Sequence, residues 1–240
     1  MVDSFVSLAV LLAILLAGTY SGYALWDNNQ VYRAAENVQL EMKKLKPIVT
    51  EDEETAPSFR ELLAINPDVR GWITLDGTNI DYPILQGESN LDYINQDVYG
   101  DFALAGSIFL DSRNHPDFSD RYNLLFGHHM VNHLMFGDLD LYKEGSFFRK
   151  NTTGTLITEK CVYDLEIVAC LVVSASDEQI FNVTVCQDTS AVLTYASQNS
   201  LQFRPYAAES GDVPRLLALS TCTSEYTDAR TIVIAVMHRH

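Results

Sequence analysis

The stretch from Phe5 to Trp26 contains no charged residue, and this feature constrains the fold of the chain more than any other. An apolar run of about 20 residues has the length of a helix that crosses a bilayer. Its distal end carries aromatic residues of the kind found at membrane interfaces, namely Tyr20, Tyr23 and Trp26. We therefore predict an uncleaved membrane anchor over residues 1–27.

Two other interpretations of this run stay open. Leu8–Ala17 followed by Gly18 loosely fits a signal peptide with a small-residue cleavage site, and a buried core helix is the third alternative. The apolar character continues through Leu25, which favours the uncleaved anchor. The flanking charges indicate the orientation poorly. Lys and Arg only follow the run, so the positive-inside rule alone weakly favours a cytoplasmic C-terminal domain.

The residues after the apolar run divide into a helical and an acidic segment. Asn28–Lys46 is rich in helix formers and has an imperfect apolar stripe. Glu51–Glu54 is an acidic run between two prolines, which is typical of a solvated linker. We predict a helical stem and acidic linker over residues 28–57 and a globular domain over residues 58–240. A short helix over Phe59–Ile65, with Ser58 as its N-cap, is expected to open that domain.

From Gly71 onward the apolar pattern changes from helical to extended. The predicted strands are two segments around an Asp-Gly turn in 71–85, then 106–111, 123–127, 154–160, 162–175, 215–222 and 230–238. The last two are long apolar runs, which indicates strands buried on both faces. Asp188–Ser200 is predicted to be a helix. Seven to eight strands with few helices indicate a mostly β fold, either a barrel or a sandwich.

Composition excludes several classes of function. Lys plus Arg is 16 and Asp plus Glu is 32, so the net charge is −16. A surface this acidic repels phosphate backbones, and we expect no nucleic-acid partner. The four cysteines are too few for a disulfide scaffold, and none forms a CxxC pair that would suggest zinc or a redox dithiol.

Cys222 differs from the other cysteines in its setting. It ends the hydrophobic segment LALSTC and precedes the polar, turn-like segment TSEYTDA. A thiol at the end of a strand is held rigidly and can still be reached by a substrate. Cys161 and Cys170 lie in apolar alternation, where a free cysteine usually acts as a small buried hydrophobe. Cys222 is therefore the candidate nucleophile, although structural cysteines are common.

Two further residue types that a nucleophilic thiol requires also lie at strand ends. His128 and His129 follow the apolar strand in LLFGHHM, and a partner imidazole can be distant in sequence from its cysteine. Arg230 opens the strand after the Cys222 loop, so a hairpin would place it beside Cys222. An arginine there can stabilise a developing oxyanion. The alternative for Arg230 is a surface charge at the edge of the sheet.

Other catalytic chemistries find weak support in the sequence. His129 and His133 are four residues apart, as on one face of a metal-binding helix, but no nearby acidic ligand completes an HExxH pattern. A serine hydrolase is also disfavoured because no GxSxG motif occurs. We expect no metal or other cofactor.

With LSTC, the strand-end GHH and an arginine opening the next strand, the chain resembles a sortase, and more specifically a class B sortase. The resemblance covers roughly Phe59 to Met237. It follows ordered blocks along the chain: NPDVRGWITLDGTNIDYPILQ, YINQDVYGDFALAGSIFLD, NLLFGHHM with LMFGDLDLY, and LALSTC. The combination of these blocks is far more specific than the short TLxTC core alone.

The resemblance implies a closed eight-stranded β-barrel with peripheral helices, in which the helix Asp188–Ser200 lies between the sixth and seventh strands. It implies a catalytic set of His128, Cys222 and Arg230. His128 rather than His129 matches the family position, because the catalytic imidazole directly follows the strand-ending glycine. It also implies a single-pass protein of a Gram-positive cell membrane with an extracytoplasmic catalytic domain, which is our reason for setting aside the weak charge signal.

The resemblance further implies a transpeptidase. Cys222 would cleave a Thr–Gly or Thr–Asn bond in the sorting signal of a surface protein. The thioacyl intermediate would then pass to an amine of a peptidoglycan precursor or of a pilin. Two other hypotheses compete with this one. A non-enzymatic anchored adaptor does not explain why Cys, His and Arg all occur at strand ends. A papain-like protease lacks its C-G-[SA]-C-[WY] signature here.

Overall fold

Eight strands close into a barrel in the computed structural model of this chain, which describes residues 2–47, 56–206 and 213–239. The barrel strands are β1 (Val69–Leu75), β2 (Asp81–Leu85), β3 (Ile108–Leu110), β4 (Tyr122–Phe126), β7 (Thr153–Thr158), β8 (Val162–Ser174), β10 (Arg215–Cys222) and β11 (Ala229–Arg239). The short strands are β5 (His129–Met130), β6 (Leu134–Met135) and β9 (Gln202–Phe203). The helices are α1 (Val2–Lys43), α2 (Ala56–Ile65), α3 (Gly145–Lys150), α4 (Glu178–Phe181) and α5 (Thr189–Asn199), with 3-10 helices at Gly137–Lys143 and Val185–Gln187.

The order of strands around the barrel is β11, β10, β4, β3, β2, β1, β7 and β8, and pairing of β8 with β11 closes it. Two pairs in this circuit are parallel, β2 with β3 and β4 with β10. All other barrel pairs are antiparallel. Parallel strands end at the same edge of a sheet, so the residues that follow β4 and β10 meet at one rim of the barrel.

The last two barrel strands are buried on both faces, as their apolar runs predict. Val233 and Ala235 of β11 face the barrel interior, while Ile232 and Ile234 belong to a second apolar cluster outside it. Leu217 and Leu219 of β10 face inward, and Leu216 and Ala218 face outward. The outer cluster is covered by residues of α4, α5 and the connections beside them, including Ile180, Val192 and Ala196. This double burial holds the C-terminal end of β10 rigidly.

The structure confirms the closed eight-stranded barrel and most of the predicted elements. The helix predicted over Asp188–Ser200 is α5, with Asp188 as its N-cap, and it lies between the sixth and seventh barrel strands. The prediction that Ser58 is an N-cap is wrong, because α2 begins at Ala56 and Ser58 lies inside it. The 3-10 helix Gly137–Lys143 and the hairpin of β5 and β6 were not predicted.

The N-terminal helix α1 continues without a break through the predicted anchor and stem. Residues 5–26 are exposed, and α1 is the single helix in the described part of the chain that is long and apolar enough to cross a membrane. Further along, Val31, Tyr32 and Ala35 pack against the barrel core, and Met42 is buried against α2 and its neighbours.

The boundaries between anchor, stem and domain stay a prediction. Helix α1 shows no break at residue 27, and its second half contacts the barrel. After the helix, Lys46 Nζ donates a 2.8 Å hydrogen bond to Asp81 Oδ1 at the start of β2. The predicted acidic linker Glu51–Glu54 lies outside the described residues.

Candidate active site

The parallel register of β4 and β10 places His128 and Cys222 side by side. Phe126 is the Cα partner of Ser220, and each candidate residue follows its own strand partner by two positions. The pairing extends past the end of β4, because the Gly127 amide donates to the Ser220 carbonyl at 3.1 Å and Thr221 Oγ1 donates to the Gly127 carbonyl at 2.8 Å.

Glycine is required at the position before the candidate histidine. A Cβ atom at Gly127 would come within 2.8 Å of the Phe136 ring and within 2.4 Å of the Ile108 side chain. Phe136 is fully buried in the core and cannot move away cheaply. The glycine therefore lets the chain after β4 pack closely against Ile108 and Phe136, directly before His128.

Cys222 is the one cysteine whose thiol is exposed. All four cysteines of the chain lie in the described part of the structure, and each is a free thiol. Burial raises the pKa of the Cys170 and Cys186 thiols to about 12, so neither supplies a thiolate at neutral pH. Cys161 is half-buried. Exposure at the end of a rigid strand suits Cys222 to attack a bound substrate.

Arg230 faces Cys222 across the hairpin. The two residues are direct Cα partners in the antiparallel pair of β10 and β11. Directly opposite residues in such a pair have Cβ atoms about 4.5–5.5 Å apart, on the same face of the sheet. The Arg230 side chain is half-buried, and its Nη1 donates to the Ala229 carbonyl at 2.9 Å. The guanidinium is thus held beside the thiol with donors left for a substrate.

The imidazole of His128 is oriented by the loop after β2. Its Nε2 lies 2.7 Å from the carbonyl oxygen of Ile94. A carbonyl oxygen only accepts hydrogen bonds, so Nε2 carries the proton of the neutral ring and Nδ1 is the atom free to take up a proton.

His128, Cys222 and Arg230 line one cavity of about 390 Å³. Its walls are largely apolar and include Leu91, Ile94, Phe109, Phe126, Phe181 and Ala175. Few polar groups among apolar walls are typical of a cleft that binds a specific ligand. The sequence did not single out these apolar residues, because they come from strands, a helix and loops that are far apart in the chain.

The other two histidines considered for metal binding have different partners. His129 Nε2 lies 3.1 Å from Asp140 Oδ2, and His133 Nδ1 lies 2.5 Å from Asp138 Oδ1. Each histidine is therefore paired with its own carboxylate. Among the described residues, no group of three or more His, Cys, Asp or Glu side chains is arranged to hold a metal ion.

Comparison with known proteins identifies the family. The family model for the sortase domain matches residues 73–238. The chain belongs to the sortase family. It is 31% identical to Sortase B of Staphylococcus aureus over 185 residues, which are 77% of this chain and 75% of that protein.

Solved structures agree with this assignment. A class B sortase of Streptococcus pyogenes involved in pilus biogenesis superimposes on this sortase with a TM-score of 0.70 at 40% identity, covering 77% of this chain and 100% of that chain. Sortase B complexed with a triglycine peptide gives a TM-score of 0.69 at 28% identity, over 89% of this chain and 97% of that chain.

This sortase is a class B enzyme, a cysteine transpeptidase of surface-protein processing. The non-enzymatic adaptor and the papain-like protease considered from the sequence are therefore set aside. An exposed thiol, an imidazole and a guanidinium around one apolar cleft are the groups that acyl transfer through a thioester requires.

Proposed function

We propose that this sortase is anchored in the membrane by α1 and cleaves a sorting signal at a Thr–Gly or Thr–Asn bond. Cys222 is the nucleophile, His128 the general acid and base, and Arg230 the oxyanion donor. The observation that carries this proposal is the convergence of these three side chains on one cavity, although they come from three different strand ends.

The first half-reaction forms a thioester. The Cys222 thiolate attacks the carbonyl carbon of the threonine, and negative charge develops on the carbonyl oxygen. Arg230 and backbone N–H groups donate hydrogen bonds to this oxyanion. The C–N bond then breaks, and imidazolium at His128 gives its proton to the departing amine. The products are a thioacyl enzyme and the C-terminal fragment of the sorting signal.

The second half-reaction transfers the acyl group to an incoming amine. Neutral His128 accepts a proton from the amine as its nitrogen attacks the thioester carbonyl, and Nδ1 is the free acceptor in the observed orientation. The C–S bond breaks, Cys222 is released and a new amide joins the two chains. An amine at the start of a glycine peptide suits this step, since Sortase B has been solved with triglycine.

The amine donor is either a peptidoglycan precursor or a pilin. A relative at 40% identity takes part in pilus biogenesis, which supports the pilin. The glycine complex of Sortase B supports the precursor. We propose an amine nucleophile of this class, for which triglycine serves as the probe.

The location of the enzyme follows from its substrates. Surface proteins carry their sorting signals across the membrane, so a transpeptidase that processes them works on the outer side. We therefore propose that α1 is a single-pass anchor and that the barrel is extracytoplasmic. The exposed apolar residues 5–26 are the segment that lipid would cover.

The experiment is an assay of peptide cleavage and transfer with the full chain in detergent micelles. Pentapeptides with Thr–Gly and Thr–Asn bonds are offered with and without triglycine. We expect cleavage of one class and an amide product with triglycine, and we expect Cys222→Ala to abolish both. Cys161→Ala is the matched control, because it removes a thiol outside the cavity, and it should retain activity. Full activity of Cys222→Ala would refute the proposal.

A further inference from the structure

The residues that directly follow the three proposed catalytic residues all bind one pair of charged side chains. His129 follows His128, Thr223 follows Cys222 and Thr231 follows Arg230. Each of these three successors makes a side-chain hydrogen bond to Asp140 or Lys143 of the 3-10 helix Gly137–Lys143. The three strand ends of the site are thus tied to one short helix beneath the rim.

Asp140 holds two of the three successors. His129 Nε2 lies 3.1 Å from its Oδ2, and Thr231 Oγ1 donates to its Oδ1 at 2.7 Å. Burial opposes ionisation of Asp140, but hydrogen bonds from His129, Lys143 and Thr231 outweigh this and lower the pKa of the carboxyl to about 2. The carboxylate is therefore charged at neutral pH, and it accepts hydrogen bonds from both His129 and Thr231.

Lys143 holds the third successor and the loop after it. Its Nζ lies 2.8 Å from Asp140 Oδ1 and donates to Thr223 Oγ1 at 2.7 Å. It also forms an ion pair with Glu225, which accepts in turn from Thr223. Residues three apart lie on one face of a 3-10 helix, so Asp140 and Lys143 form a single surface facing the strand ends.

Neither Asp140 nor Lys143 is among the described residues that line the cavity. They contact the sequence neighbours of the proposed catalytic residues and not those residues themselves. We propose that Asp140 and Lys143 are positioning residues that fix the relative placement of the thiol, the imidazole and the guanidinium. This inference rests on the proposed function, because it acts through the catalytic set named there.

The rate of acyl transfer depends on the geometry of the three catalytic side chains. Acyl transfer needs the attacking atom, the proton donor and the oxyanion donor at set distances, and a misplacement of about 1 Å can cost about 10²-fold in rate. The three residues come from different strands: Cys222 is the last residue of β10, Arg230 is the second residue of β11, and His128 lies two residues beyond the end of β4. A common set of contacts one residue further on limits how far each strand end can move relative to the others.

The test compares Asp140→Asn with Asp138→Asn in the peptide cleavage and transfer assay. Asp138 lies on the same 3-10 helix but binds His133 and the amide of Asn79, neither of which lines the cavity. We expect Asp140→Asn to lower kcat by about 10- to 100-fold with KM changed less than about threefold, since substrate contacts remain. Asp140→Glu, which keeps the charge, should recover part of the lost kcat. Asp138→Asn should lower the melting temperature and leave kcat close to that of the wild type.

A double-mutant cycle tests whether the contacts act as one unit. Thr231→Val removes the donor of one hydrogen bond and Asp140→Asn neutralises its acceptor, so the double variant should lose little more kcat than the worse single variant. Additive losses would contradict a shared role. Wild-type kcat in Asp140→Asn would overturn the inference, and so would an equal loss of kcat in Asp138→Asn at matched melting temperature. Either result leaves the proposed function intact as long as Cys222→Ala is inactive. Activity in Cys222→Ala would instead refute the proposed function itself.

Discussion

Cys222 and Arg230 are direct partners across the antiparallel pair of β10 and β11. Because opposite residues on one face lie within side-chain reach, the hairpin itself places a guanidinium beside the thiol. No long loop or bound ion is needed to bring the two together. This relationship supports the oxyanion role that we propose for Arg230 over that of a surface charge at a sheet edge.

Arg230→Lys tests that task directly. A planar guanidinium donates two parallel hydrogen bonds in a geometry that an ammonium group does not copy. We expect a loss of about 10²-fold or more in kcat, the scale of one oxyanion donor. The melting temperature should barely move, because a half-exposed charge contributes little to folding. Wild-type turnover in Arg230→Lys would remove this residue from the catalytic set.

The adjacent histidines should differ in their effects. His128 lines the cavity, whereas His129 is bound to Asp140. His128→Ala should reduce kcat/KM by at least about 10²-fold, as is typical for loss of an acid–base group. His129→Ala should reduce it less, because it loosens a support and leaves the reacting groups in place. A larger loss for His129→Ala would reverse the assignment of the two residues.

The cysteines should differ in how fast iodoacetamide alkylates them. At about pH 8 in the native protein, Cys222 should be alkylated and cleavage of the sorting peptide should stop with it. Cys170 and Cys186 should resist, because burial both blocks the reagent and raises the pKa of each thiol to about 12. Mass spectrometry of tryptic peptides measures each site. Rapid labelling of Cys170 in folded protein would contradict the described packing.

The ion-pair cluster around Asp140 predicts a particular pH dependence of stability. Its carboxyl pKa is about 2 in the folded protein against 3.8 as the ordinary value, so its contribution is present above about pH 4 and is lost as pH falls towards 2. The pKa of His129 is raised by its hydrogen bond to Asp140, so the contribution of its charged form is present below about pH 6.5 and is lost as pH rises through the folded value.

Urea unfolding of wild type and Asp140→Asn between about pH 2 and 8 measures this dependence. The difference in free energy of unfolding should be largest between about pH 4 and 6 and should shrink on both sides. We expect a maximum of roughly 1 kcal/mol, because Asp140 is one third exposed and solvent screens its charge. If the difference in free energy of unfolding between the two proteins is the same at about pH 2 as at about pH 4, the contacts of Asp140 do not lower its pKa.

The sequence predicts the strands of this fold well because most are apolar runs bounded by turn residues. The segment LALSTC coincides with the end of β10, and the predicted hairpin with Arg230 is the observed pairing. The positioning pair was not predicted. Asp140 and Lys143 lie about 80 to 90 residues before Thr223 and Thr231, in a 3-10 helix whose amphipathic signal is too short to detect.

The hairpin that follows His128 shows a second limit of sequence patterns. Strands β5 and β6 have two residues each, and the turn between them holds Asn132 and His133 at positive φ. Residues other than glycine are uncommon in this region of backbone space, although Asn and His enter it more often than most, and no glycine or proline marks the turn. Met130, Leu134 and Met135 of this hairpin are buried in the barrel core, and a local pattern does not record packing between segments.

The orientation of the enzyme in the membrane is the remaining prediction. The charges flanking α1 weakly favour a cytoplasmic barrel, whereas processing of surface proteins requires an extracytoplasmic one. Intact cells that express the full chain should expose the barrel to added protease once the wall is removed, while a tag at the N-terminus stays protected. Detergent-lysed cells are the control, since both ends should then be cleaved. Because Val31, Tyr32 and Ala35 of α1 pack against the barrel, an anchor formed by α1 would hold the domain close to the bilayer on either side. Protection of the barrel in wall-free cells would therefore place the catalytic domain inside and refute the proposed extracytoplasmic function.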